Sequence, residues 1–266
     1  MIKRILVVLA GTRYTPVAIR TAVDLAQRHG AELTGATAVE VDAAERLGGT
    51  RTGVFAEALT VQGIRRSVAE FEAACTARGV THQVRWETGE DFGEILSLSR
   101  HHDLLVFGLR SVFEYEFGDR DPGVTLTRLL GGCCSPMVAV PGADRPVRRV
   151  LVAHNGSVGS ALALQRFLQS GAWRSASLRI AVLGEAAGND QEVLREAAAY
   201  CRAHGLAPDL QHLPGEHLHK LLPQAAQWGA DLIVMDSGAR LLLASQVLGV
   251  TTVHAVRHAD QALFLA

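Results

Sequence analysis

Short apolar runs rich in Val, Ile and Leu alternate along this chain with stretches whose apolar positions recur at helical spacing. Ile5–Leu9 is a run closed by Gly11 and reads as a buried strand. Pro16–His29 reads as a helix, with Pro16 in its first turn and Gly30 as its stop. Leu33–Val39 is the second predicted strand. Residues 56–78 form a long helix, because Ile64, Val68, Phe71 and Cys75 fall on one helical face and Gly79 follows. His82–Trp86, Leu104–Phe107 and Met137–Val140 complete five strands, with helices at Phe92–Arg100 and 123–131 between them. The charged face of residues 65–78 reads as solvated surface.

The same order then recurs. Residues 4–12 read RILVVLAGT and residues 149–157 read RVLVAHNGS. DLLV at 103–106 is matched by DLIV at 231–234, and Gly-Val-Thr stands at both 123–125 and 249–251. From there both halves run eighteen residues, to Val140 and to Ala266, without a gap. Three matches in the same order indicate duplication. Strands are predicted near 150–154, 178–183, 209–213, 232–235 and 262–265. The first half is longer, chiefly around residues 40–62, where Gly48, Gly49, Thr50 and Thr52 suggest a loop. The expected domains are 1–141 and 149–266, joined by a linker over 142–148.

Apolar strands joined by helices pair in parallel, with both faces covered. The fold class is therefore α/β: two tandem doubly wound domains, each a five-stranded parallel sheet flanked by helices. A terminal fifth strand is an exposed edge unless it is paired. The fifth strands of the two halves are accordingly expected to lie together.

Composition changes this picture little. Hydrophobic residues make up 48% of the 266, so both domains have material for a core, while aromatics at 5% leave that core to Ala, Leu and Val. A net charge of −1 gives no electrostatic footprint for nucleic acid and no polybasic membrane patch. Ile5–Ala10 is too short for a signal peptide core, and no run reaches the roughly 18 apolar residues of a membrane span. The four cysteines have neither metal-like spacing nor disulfide density, which fits a reducing cytoplasm.

The stretch from Asp231 to Ala266 resembles the C-terminal part of a universal stress protein domain. Arg257-His258-Ala259 matches that family's last helix, and "AGT" at 10–12 and "NGS" at 155–157 stand where Asp-Gly-Ser is common. The resemblance covers nearly the whole chain, twice. It implies a tandem UspA-like protein with an adenine nucleotide alpha hydrolase-like fold. It also implies a ligand such as ATP, AMP or another small phosphate compound, and homodimers of two-domain chains. In nucleotide-binding members a first-strand Asp meets adenine and a Gly-x-x-Gly, nine residues, Gly-Ser/Thr motif wraps the phosphates. Glycines let backbone N–H groups approach phosphate at the carboxyl ends of the strands.

Both halves depart from that motif. In the second, its positions are Asp236, Ala239, Gly249 and Val250. The nine-residue spacing survives, but Asp236 brings a carboxylate toward any phosphate. Asn155 replaces the Asp and retains hydrogen-bonding groups for a base edge. In the first half the positions are Gly108, Ser111, Gly123 and Val124, with eleven residues in place of nine, and Ala10 replaces the Asp. Arg110 and Arg120 are candidate phosphate partners. The candidate ligand-binding residues are Asn155, Gly156, Ser157, Val182, Asp236, Ser237, Gly238, Gly249, Val250 and Thr251 in the second half. In the first they are Thr12, Val39, Gly108, Arg110, Ser111, Gly123, Val124 and Thr125. Each half keeps part of a nucleotide site, and relic loops are the competing account.

Other constellations carry less. His217 and His219, with Glu216, have metal-ligating side chains, but residues two apart do not share a helical face, and solvated histidines are the default. His154 stands at a strand's carboxyl end, a position from which a polar side chain meets ligands. Cys133 and Cys134 are expected to be packed, inert thiols. No Gly-x-Ser-x-Gly elbow surrounds Ser111, Thr125, Ser157 or Ser237, and NGSVGS lacks the Lys and spacing of a phosphate-binding P-loop. No general base or metal ligand is identified. The expectation is a binding protein of the stress response with a degenerate nucleotide site in at least one half. A non-nucleotide scaffold and a slow nucleotide hydrolase are the alternatives.

Overall fold

The structure is a computed structural model that describes residues 1–37, 53–86, 93–111, 122–184, 190–214, 218–237 and 250–266. For 53–60, 122–125, 183–184, 190, 214, 218–219 and 250–251 it describes the backbone alone. The chain divides into two units, Ile2–Ala143 and Asp144–Ala266.

In the first unit the strands are β1 (Arg4–Leu9), β2 (Glu32–Thr37), β3 (His82–Arg85), β4 (Leu104–Gly108) and β5 (Met137–Val140). The helices are α1 (Thr15–His29), α2 (Gly53–Ala77), α3 (Gly93–Ser99) and α4 (Pro122–Gly132). The strands pair in parallel in the order β3-β2-β1-β4-β5. Residues Ile5–Leu9 and Leu104–Gly108 are buried throughout, as strands covered on both faces require. Pro16 lies in the first turn of α1, and Gly30 ends it at φ +60°. On α2 the predicted stripe Ile64, Val68, Phe71 and Cys75 is buried, while Arg65, Arg66 and Glu72 are exposed.

The second unit repeats this plan. Its strands are β6 (Arg149–His154), β7 (Ser177–Gly184), β8 (Asp209–Pro214), β9 (Leu232–Met235) and β10 (Ala262–Leu265). Its helices are α5 (Val158–Ser170), α6 (Asp190–Ala203), α7 (Leu218–Trp228) and α8 (Val250–His258). The order β10-β9-β6-β7-β8 is again parallel and is that of the first unit. Each unit is thus a doubly wound parallel sheet whose crossing order reverses between its first and fourth strands.

The duplication extends to single hydrogen bonds. Asp103 Oδ2 accepts from the Lys3 and Arg4 N–H groups at 2.7 and 2.9 Å. Asp231 Oδ2 accepts from those of Arg148 and Arg149, both at 2.9 Å. In each unit the acidic residue before the fourth strand therefore pins the start of the first strand. Buried Cys75 and Cys201 occupy matching helix ends. Each accepts at its carbonyl from the residue after a positive-φ glycine, Val80 after Gly79 and Leu206 after Gly205. Cys133 and Cys134 differ from expectation: Cys133 is half-buried and Cys134 exposed, in the segment between α4 and β5. Among the described residues no helix is long and apolar enough to cross a membrane.

Candidate functional site

The carboxyl ends of the first and fourth strands bound the crevice in which open parallel sheets take their ligands. In the first unit the described residues around this crevice pack on one another. Gly11, at φ +70°, turns the chain out of β1, and a Cβ built on it would stand 2.6 Å from the Gly63 carbonyl carbon. The backbone of α2 therefore presses directly on the first loop. Thr12 Oγ1 and Ser111 Oγ share a hydrogen bond of 2.8 Å, tying the loop after β1 to the residues after β4. The Thr12 N–H donates to Thr15 Oγ1 at 3.1 Å. Tyr14, only 3% exposed, lies over Gly108: a Cβ at Gly108 would overlap the Tyr14 Cβ and the Ser111 Oγ. The Tyr14 ring also reaches Gly142, while its hydroxyl accepts from Arg13 Nη2 at 2.7 Å.

The second unit is more open at its first loop. Asn155, Gly156 and Ser157 are all exposed. Asn155 Oδ1 accepts from the Ser157 N–H at 3.1 Å, and Gly156 takes φ +75°. Ser157 caps α5, its Oγ accepting from the Ser160 N–H at 3.2 Å. His154 is 6% exposed, and its Nδ1 accepts from the Gly156 N–H at 3.1 Å. Burial lowers its pKa below the ordinary histidine value. Its Nδ1 therefore supports the loop. Val182 is buried and stands in register with His154 on the neighbouring strand.

Asp236 follows β9 and turns toward the first turn of α5. A Cβ built on Gly159 would stand 2.5 Å from the Asp236 Cγ and overlap a carboxylate oxygen. The Asp236 carbonyl accepts from Thr252 Oγ1 at 3.0 Å. Ser237 is buried, and its N–H donates to the Ala266 carbonyl at 3.0 Å. The Leu109 N–H donates to Val140 in the same way at 2.8 Å. This ladder makes Asp236 the counterpart of Gly108.

The structure thus brings together Thr12, Gly108 and Ser111 in the first unit. In the second it groups Asn155, Gly156, Ser157 and Asp236 around the start of α5. Arg110 is half-buried beside Ser111 in the chain. Gly123, Val124 and Thr125 lie in α4, and Val250 and Thr251 in α8, with backbone alone described. Val39, Arg120, Gly238 and Gly249 lie outside the described residues, as do Glu216 and His217. Among the described residues no group of three or more His, Cys, Asp or Glu side chains converges on a metal position. Sequence reasoning passed over Tyr14 as a site residue and saw in Gly159 only part of a glycine-rich loop. The repeat contained the signal: Tyr14 and Gly159 each stand three residues after a matched glycine, Gly11 and Gly156.

Residues 1–113 match the model of the universal stress protein family. The first half of the chain is thus similar in sequence to that family. A universal stress protein from Archaeoglobus fulgidus DSM 4304 superposes with a TM-score of 0.69 at 17% identity, covering 99% of this chain and 97% of that one. A functionally unknown protein from Pseudomonas aeruginosa PAO1 superposes with a TM-score of 0.63 at 13% identity, covering 99% and 92%. At such identities the likeness is one of fold, and it spans both units. No curated protein matches the chain in sequence. At the end of the first strand, Ala10 of the first unit is buried and Asn155 of the second is exposed.

Proposed function

We propose that the chain is a tandem universal stress protein, with domains 1–141 and 149–266, that acts by binding an adenine nucleotide at no more than one site. That site is the crevice of the second half. One contrast carries the reading. The loop Asn155-Gly156-Ser157 is exposed around a capped helix N-terminus, whereas in the first half Ala10 is buried, Gly11 and Thr12 are half-buried, Tyr14 is buried beside them and Thr12 is bonded to Ser111. Asn155 offers both a donor and an acceptor to a base edge. For the first half, these contacts support a scaffolding role without ligand.

Calorimetry with ATP and AMP tests this directly. At most one site per chain is expected, and Asn155→Ala should abolish it. Two equivalent sites, or binding indifferent to Asn155→Ala, would overturn the assignment. The same reading has the protein in the cytoplasm as homodimers of two-domain chains. Fractionation and sedimentation check those two points.

A further inference from the structure

Two residue pairs fill the same place in the two units with their roles exchanged. In the first unit the large side chain, Tyr14, comes from the start of the helix, and the glycine, Gly108, ends the fourth strand. In the second unit the glycine, Gly159, lies in the first turn of the helix, and the larger side chain, Asp236, follows the fourth strand. At Gly159 the Asp236 carboxylate takes the Cβ position, and at Gly108 the Tyr14 Cβ and the Ser111 Oγ take it together. The fillers differ in charge. Tyr14 is neutral and buried, with Arg13 at its hydroxyl. Asp236 is a half-exposed carboxylate.

That difference bears on ligand choice. The first turn of a helix attracts an anion, and in a phosphate site the ligand supplies it. Here Asp236 brings a carboxylate of the chain against that turn at Gly159. A ligand phosphate approaching α5 meets a position already taken and a charge of its own sign. Hydroxyl groups meet the opposite situation, since a carboxylate accepts hydrogen bonds from them.

Resting on the adenine-binding reading above, we infer that Asp236 ranks the ligands of the second-half crevice by charge, adenosine binding more tightly than AMP and AMP more tightly than ATP. The test is calorimetry of the full chain with adenosine, AMP and ATP, on the wild type, Asp236→Asn and Asp236→Gly. Circular dichroism verifies that each variant is folded, and the isosteric Asn variant removes charge with the shape kept. In the wild type, ATP should bind about tenfold more weakly than adenosine, the scale of one like-charge contact near a protein surface. Both variants should narrow this gap, and Asp236→Gly, which also frees the position beside Gly159, should narrow it more. ATP binding the wild type as tightly as adenosine, or a gap unchanged in Asp236→Asn, overturns the inference and leaves adenine binding intact. If none of the three proteins binds any of the three ligands, the adenine reading itself fails, and the ranking falls with it.

Discussion

The carboxylate of Asp236 occupies the space that a side chain at Gly159 would need. Residues 77 positions apart in the sequence (236 − 159) are therefore fixed to each other's size. In the first unit the Tyr14 Cβ and the Ser111 Oγ together take the space a side chain at Gly108 would need.

Adding a methyl group to either glycine should be costly. Gly159→Ala and Gly108→Ala are each expected to destabilise the protein by about 1–3 kcal/mol, the usual scale of overpacking. In a helix, Gly→Ala otherwise stabilises by roughly 0.5–1 kcal/mol, so the sign for Gly159→Ala is diagnostic. Urea unfolding measures both. Asp236→Gly should rescue Gly159→Ala in a double-mutant cycle, with an interaction energy above about 0.5 kcal/mol.

Asp103 and Asp231 each accept two backbone N–H groups at the start of a first strand. Replacement of either by Ala should cost about 1 kcal/mol, the net value of such hydrogen bonds near solvent. Since the two anchors share no partner, the double substitution should be additive. Strong non-additivity in denaturant midpoints would show that they are coupled.

The four thiols should separate into two reactivity classes. Burial raises Cys75 to about 12 and Cys201 to about 11, which keeps both protonated and unreactive at neutral pH. Cys134 is exposed and Cys133 half-buried. A thiol-specific chromogenic reagent should label at most these two in the native protein and all four in guanidinium. Fast native labelling of Cys75 or Cys201 would contradict the packing.

Stability should decline on mild acidification. Burial lowers the pKa of His154, and it lowers that of His102, against the opposing effect of the Leu98 carbonyl. Both histidines are neutral in the fold above the ordinary value near 6.5. There, folded and unfolded states bind the same number of protons, and the contribution to stability is complete. As pH falls from about 6.5 through the lower folded values, the unfolded chain takes up protons first and stability is lost. Protonation of His154 would also remove the acceptor of the Gly156 N–H. Urea midpoints between pH 8 and 5 should drop, and less steeply in His154→Gln. A flat profile would sink the argument.

The sequence by itself determined the fold of this protein. Its apolar runs, glycine stops and repeated segments are local signals, and strand and helix formation follow local spacing and burial. The predicted strands at 137–140, 232–235 and 262–265 coincide with β5, β9 and β10. The unusual residues of the site were legible too, since Asp236, Asn155 and Ala10 stand out against a motif. What they do to one another was not. Whether Asp236 faces a ligand or the helix at Gly159, whether His154 lies in the crevice or beneath it, and whether Tyr14 is surface or plug depend on contacts between residues far apart in the chain. Those contacts form only when the fourth strand is laid beside the first. Packing between distant segments then decides which crevice stays open, because it decides which side chain occupies the volume a glycine leaves vacant.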